Sequence, residues 1–261
     1  MQTVLTIAGS DCSGGAGIQA DIKTITAHGM YAMSAITALT AQNTTGVYGV
    51  QEATPEFVGQ QIDCIVRDIR PNAVKIGMIS SKKIMEVLAA KLEEYSLENI
   101  VLDPVMISTS GSKLMSDDAI ETLCKKVMPK ANLITPNLHE AASLANMQIH
   151  TKAEMIQAAE KIGTFFKGAI LIKGGHLEET ADDLLYMSGE VTWFEGQRIE
   201  NPNTHGTGCT LSSAIACNLA GGFDMKTSVA HGKGYVTGAI AANLNLGAGS
   251  GPLNHCYKIQ A

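Results

Sequence analysis

Short apolar runs rich in Val and Ile alternate with longer amphipathic stretches along this chain, and that alternation admits few folds. Strands written as near-continuous apolar runs are buried on both faces, and joining them in parallel requires a crossover each time, usually a helix. Such runs occupy residues 3–8, 33–41, 73–77, 99–102, 132–135 and 169–173. Amphipathic stretches surround 17–28, 55–69, 81–95, 116–128 and 151–167. Two carry start signals. Thr54-Pro55 supplies a cap with proline at the first helical position, and Thr151-Lys152-Ala153-Glu154 fits a capping box. Residues 183–188 and 191–195, around Gly189-Glu190, read as a hairpin that adds an antiparallel edge. Two helices follow, near 210–220 and 225–242, and then a glycine-rich tail. No linker or repeat divides the pattern, so it predicts a single domain over residues 1–261. The expected fold is three-layer α/β, a mostly parallel sheet with helices on both faces. Ligands of such sheets sit beyond the carboxyl ends of the strands, and the chemistry is expected there.

Composition removes several alternatives. With 45% apolar and 17% charged residues, the chain is too apolar for a disordered one. No run approaches the roughly 18 apolar residues that span a bilayer. No basic leader precedes the first strand, so the expectation is a cytoplasmic protein without membrane contact. The net charge of −6, without a Lys/Arg cluster, argues against a protein that tracks nucleic-acid phosphates. Six scattered cysteines, with no C-x-x-C, read as reduced thiols.

Several motif lookalikes fail on inspection. Gly9-Ser10-Asp11-Cys12-Ser13-Gly14 has phosphate-loop spacing, but Gly15 stands where lysine is needed. Gly15-Ala16-Gly17-Ile18-Gln19-Ala20 matches a dinucleotide fingerprint, yet it begins past the first strand, and Gln42 closes the second where an acid is needed. His139-Glu140 lacks its second histidine, because position 143 is Ser. His205 and Cys209 are spaced to share a metal, but no third ligand stands nearby.

The segment that carries chemistry is Asn203-Thr204-His205-Gly206-Thr207-Gly208-Cys209-Thr210, just ahead of a helix. Alternating small residues let the backbone turn tightly, so successive N–H groups converge on one point. The helix dipole adds about half a positive charge there, which suits an anion. The same residues also fit a glycine-rich turn with a hydroxyl cap. Cys209 falls in the first helical turn, where an electropositive setting is expected to lower its pKa and favour the thiolate. It equally fits a small packing residue.

With these residues in view, the chain resembles the hydroxymethylpyrimidine and phosphomethylpyrimidine kinases of thiamine biosynthesis, within the ribokinase-like superfamily. The resemblance rests on T-I-A-G-S-D-C-S-G-G-A-G-I-Q-A-D near the start, on G-T-G-C-T, and on motifs between them: Val74 to Met78, Leu102 to Met106, Ile134 to Ala141 and Lys173 to His176. It extends to the tail from Gly249 to His255. It implies a ribokinase-like fold, ATP and Mg²⁺, a kinase domain without a fused thiamine-phosphate synthase, and usually a homodimer.

The resemblance also implies roles. The amides of Gly206, Thr207, Gly208 and Cys209 form an anion hole for the migrating phosphoryl group, and Cys209 stands at the general-base position. Asp103 and Glu140 organise Mg²⁺, directly or through water. Asn137, Lys173, Thr204 and Thr207 face ATP. Ala16, Asp21, Gln42, Met78 and Val105 surround the pyrimidine, with Asp21 and Gln42 supplying hydrogen bonds to an aminopyrimidine edge. The stretch from Ile107 to Lys113 reads as a lid. It carries Thr109 where many relatives have lysine, which leaves Lys113 as the alternative contact to ATP. The nearest competing reading is a pyridoxal kinase. Against it stand Ser108, where such relatives can carry a cysteine, and Gln42, where they can carry a methionine. A non-catalytic pyrimidine-phosphate sensor is a further alternative, disfavoured because each expected catalytic residue is present.

Overall fold

The computed structural model describes residues 1–106, 115–175 and 180–259. The first half runs β1 (Thr3–Asp11), α1 (Gly17–Ala27), β2 (Tyr31–Asn43), β3 (Gly46–Glu52), α2 (Pro55–Asp68), β4 (Ala73–Ile76), α3 (Lys82–Glu94) and β5 (Ile100–Leu102). It continues with α4 (Asp117–Thr122), β6 (Leu133–Ile134), α5 (Leu138–Ala145), α6 (Lys152–Gly163) and β7 (Ala169–Ile172). The chain then forms β8 (Asp183–Met187), β9 (Glu190–Phe194), α7 (Thr207–Ala220) and α8 (Met225–Ala241).

Among the described residues, nine strands join one sheet in the order β3-β2-β1-β4-β5-β6-β7-β8-β9. The six from β2 to β7 in that order are parallel. Period-two burial divides them between two cores. Leu5, Ile7, Val74, Ile76, Ile100, Leu102, Ile134 and Ile170 pack with α2, α3, α4, α5 and α6 on one face. Val4, Ala73, Val101, Leu133, Ala169 and Leu171 pack with α1, α7 and α8 on the other. Each fully buried Ile or Leu contributes roughly 1.5–3 kcal/mol of transfer free energy, so both helical layers are held by the same short strands. The three-layer arrangement is the expected one.

Three local features differ from the sequence pattern. Antiparallel pairing occurs at both edges: β8 and β9 at one end, and β3 against β2 at the other. No residue of β3 is buried, so no apolar alternation marks it. The hairpin turns at Ser188 and Gly189, both at positive φ, rather than at Gly189-Glu190. The stretch expected as one helix over 116–128 is α only in α4, followed by a π turn at Leu123–Val127 and a 3₁₀ turn at Met128–Lys130. Pro129 lacks the N–H that a continuing helix needs. The caps at Thr54 and Thr151 form as the sequence indicates, the latter as a full capping box.

α7 is unusual because every residue from Thr210 to Ala220 is buried. It lies against the sheet and packs on both α1 and α8. Small residues allow this: Ser212, Ser213, Ala214 and Ala216 leave room for close neighbours. Behind it the tail inserts His255, which is buried with Nε2 3.0 Å from the Thr210 hydroxyl. Tyr235 donates its hydroxyl to the His255 carbonyl at 2.5 Å.

Burial, aided by the charge of Lys23, pushes the His255 imidazole down from 6.5 to about 4. The unfolded chain therefore binds a proton there that the folded chain refuses. Stability from this site is complete above about pH 6.5 and is lost as pH falls toward 4. Urea unfolding should show about 3 kcal/mol more loss between pH 7 and 4 in the native protein than in His255→Gln. Parallel pH dependence of the two proteins would contradict this.

Candidate active site

β1 is the switch point of the sheet, with β2 added on one side and β4 on the other. Such points open a crevice at the strand carboxyl ends. A cavity of about 1000 Å³ lies there, and Ala16, Gln42, Met78, Val105, Asp103, Asn137, Glu140, Lys173, Thr204 and residues 206–209 all line it. The ends of β1, β4, β5, β6 and β7 thus converge with the start of α7, as the sequence reading anticipates. The segment expected as a lid, with Ser108, Thr109 and Lys113, lies outside the described residues.

Gly206 opens α7 in the left-handed region at φ 84°. A Cβ there would collide with the Gly15 carbonyl oxygen, so only glycine fits. No side chain caps this helix, and Thr207 spends its hydroxyl on the Thr204 carbonyl at 2.7 Å. The Thr207 N–H donates to the same carbonyl at 3.2 Å, so the anion-binding end expected of this helix start falls to the other amides of the turn, with Gly208 and Cys209 lining the cavity.

Asp103 and Lys173 form an ion pair of 2.8 Å, with Thr135 donating its hydroxyl to the same carboxylate oxygen at 3.0 Å. Burial alone would lower the Lys173 pKa, but Asp103 and Glu140 outweigh it and keep the ammonium charged. Glu140 closes a capping box with Asn137: its carboxylate accepts the Asn137 N–H at 2.8 Å, and its own N–H donates to the Asn137 side chain at 2.9 Å. The capping and functional readings of this pair thus coexist. Burial pushes the Glu140 carboxyl up to about 7, against the pull of Lys173.

Two expectations need correction. Asp21 does not line the cavity. It is fully buried beneath it, accepting from Lys75 at 2.8 Å, from Thr6 at 2.5 Å and from Ser213 at 2.8 Å. Thr6 and Lys75 are register partners on β1 and β4, so both side chains leave the sheet toward α1 and α7. A buried lysine demands an anion, and Asp21 is consumed in that role. The second correction concerns Cys209. Burial raises its thiol pKa above the ordinary value, and the opposing charge of Lys75 and the amide of Gly17 do not cancel this. The helix start does not make it a resting thiolate, because desolvation of the half-buried sulfur outweighs the attraction of Lys75.

Other residues at this site carry no obvious sequence signal. Asp11, at the end of β1, accepts from the Ser13 N–H and hydroxyl and from the amides of Gly15 and Ala16. Its Oδ2 also lies 2.9 Å from His205 Nε2, so His205 serves as its partner rather than as a metal ligand with Cys209. Burial would raise the Asp11 pKa, but these donors hold it well below the usual carboxylate range. Residues 196–201 and Val236, Thr237 and Ile240 of α8 line the cavity as well. Apolar residues on a helix read as core until tertiary packing shows otherwise. Among the described residues no cluster of three His, Cys, Asp or Glu side chains could hold a metal by itself, and no helix is long and apolar enough to cross a membrane.

A ribokinase-like fold with an anion-binding helix start, a paired lysine and two carboxylates facing one cavity defines a small-molecule kinase. The phosphomethylpyrimidine kinase model matches residues 11–254, and the chain belongs to that family. It is 45% identical to the hydroxymethylpyrimidine/phosphomethylpyrimidine kinase of Streptomyces coelicolor, over 98% of this chain and 95% of that one. It is 44% identical to the thiamine biosynthesis bifunctional protein ThiED of Geobacter sulfurreducens, over 97% of this chain but only 52% of that protein. The ADP complex of Bacillus subtilis pyridoxal kinase superposes with a TM-score of 0.91 at 36% identity, covering 99% of this chain and 98% of that one.

The Lys75–Asp21 pair yields a stability test. Removing one member of a buried pair leaves an uncompensated charge and costs roughly 3–5 kcal/mol. Lys75→Met should lose that amount in urea unfolding, and adding Asp21→Asn should restore much of it. A single variant as stable as the parent would overturn the assignment of this pair as a buried ion pair.

Proposed function

We propose that this protein transfers the γ-phosphoryl group of ATP to hydroxymethylpyrimidine and then to its monophosphate, giving the diphosphate used in thiamine biosynthesis. The observation that carries this reading is the convergence of the α7 amides, Lys173, and the pocket residues Gln42, Met78 and Val105 on one cavity. Gln42 offers a donor and an acceptor, which suits an aminopyrimidine edge, and Met78 and Val105 supply apolar contact to the ring. Lys173, with Asn137, Thr204 and Thr207, faces the triphosphate.

Phosphoryl transfer is largely dissociative, so catalysis rests on positioning and on stabilising charge at the migrating group. The amides of Gly206, Gly208 and Cys209 do this without reorganising, whereas that of Thr207 would first have to leave the Thr204 carbonyl; losing one such donor elsewhere costs roughly 2.7–4 kcal/mol of barrier. Cys209 can take the acceptor proton, which leaves late in such a transfer, only after its own proton has left to solvent. Lys75 and the Gly17 amide favour the ionised sulfur against the cost of burial.

Asp103 and Glu140 would hold a Mg²⁺ ion chiefly through its waters, because Lys173 and Thr135 already donate to Asp103 and the Asn137 and Met106 amides to Glu140. This hard cation usually keeps several waters and takes only one or two protein carboxylates beside substrate phosphates, and two carboxylates face this cavity. When bound, the ion neutralises phosphate charge during transfer. A cytoplasmic setting, and the homodimer that the family resemblance implies, belong to the same reading.

Phosphorus NMR of the purified protein with ATP and hydroxymethylpyrimidine should show the monophosphate and then the diphosphate. Accumulation of monophosphate alone would remove the second step. The pyridoxal kinase likeness makes the competing substrate worth measuring, and a far higher kcat/KM on pyridoxal would overturn the pyrimidine assignment. Cys209→Ala should lower kcat by about 10²-fold or more, the scale of a lost general base, with nucleotide affinity retained. Unchanged turnover would remove the thiol from the mechanism.

A further inference from the structure

The cavity is assembled from two loops far apart in sequence, and one carboxylate holds them together. Asp11 is almost wholly buried at the end of β1. Its Oδ1 accepts the Ser13 N–H at 2.8 Å and the Ser13 hydroxyl at 2.7 Å. Its Oδ2 accepts the Gly15 N–H at 3.0 Å, the Ala16 N–H at 2.8 Å and the His205 Nε2–H at 2.9 Å. Ala16 lines the cavity, and His205 immediately precedes the amides of the anion loop. The same oxygen therefore touches both halves of the site.

The contact between the loops leaves no space for side chains. A Cβ on Gly15 would strike the His205 ring, and one on Gly206 would strike the Gly15 carbonyl. On its other side the anion loop is held by the His205 N–H, which donates to the Gly251 carbonyl at 3.0 Å. That bond joins the loop to the tail but carries no information about the acceptor pocket. Beside the close approach of Gly206 to Gly15 and the Gly17 amide on Cys209, the imidazole ties the loop to the carboxylate that also holds the Ala16 amide.

We propose that Asp11 and His205 are positioning residues for phosphoryl transfer, fastening the anion loop to the acceptor-side loop so that donor phosphate and acceptor hydroxyl keep their register. This rests on the kinase reading above. The imidazole acts here as a hydrogen-bond donor at Nε2, not as a base and not as a metal ligand. A glutamine places its amide N–H close to the position of Nε2, whereas leucine fills the volume without a donor.

The test compares the parent protein with His205→Gln and His205→Leu, with two readouts. The first is kcat with ATP and hydroxymethylpyrimidine. The second is calorimetric affinity for the ATP analogue AMP-PCP without acceptor. Loss of a hydrogen bond to a buried charge should lower kcat roughly 10- to 100-fold in His205→Leu, with the acceptor KM little changed. AMP-PCP affinity should fall about tenfold on the same ground, and His205→Gln should recover most of both losses. In Asp11→Asn, adding His205→Leu should lower kcat little further, because the link is already broken. Equal loss in His205→Gln and His205→Leu would overturn the proposal, as would a folded His205→Leu with parental kcat and AMP-PCP affinity. If the parent leaves hydroxymethylpyrimidine unphosphorylated, the acceptor assignment fails, and the AMP-PCP arm still decides the proposal.

Discussion

A lysine charge sealed inside the sheet face determines much of how this molecule is put together. Lys75 has no exposed surface, and its ammonium is held by Asp21. Asp21 in turn engages Thr6 and Ser213, so a single carboxylate joins β1, β4, α1 and α7. An unpaired charge in that position would be intolerable, which forces the helices carrying Asp21 and Ser213 into one placement. That placement sets the start of α7 above the switch point of the sheet, and every functional group of the cavity is arranged around it.

A second consequence is electrostatic. Cys209 sits on α7 one turn before Ser213, above the buried pair. The thiol is therefore governed by two opposed influences: enclosure, which disfavours its ionisation, and Lys75, which favours it. Farther along the cavity Lys173 and Asp103 repeat the pattern of a paired lysine at a strand end, this time facing the site. One lysine lies buried beneath the cavity and one lines it, and each is kept charged by its own aspartate. Fixed, desolvated charges of this kind act on a transferring phosphoryl group without reorganising.

Much of this was legible in the residues themselves. Val- and Ile-rich runs separated by capped amphipathic stretches specify a parallel sheet with crossover helices, because the periodicities of burial are local properties. The anion loop was legible for the same reason: glycines at 206 and 208 and the helix start are adjacent in sequence. β3 was invisible because none of its residues is buried, and an edge strand needs only backbone partners. The cavity wall from α8 was invisible because Val236 and Ile240 look like any apolar helix stripe.

Sequence by itself determined the fold class, the family resemblance and the positions of the anion loop, Gln42, Asp103, Glu140 and Lys173. Only the tertiary structure decided which acidic residues are free to meet a ligand. Asp21 and Asp11 are separated by ten residues and look equally available. One is consumed by a buried lysine from another strand, and the other by a histidine 194 residues away. A carboxylate's role depends on which donors reach it, and those donors come from chain segments that meet only when the sheet closes.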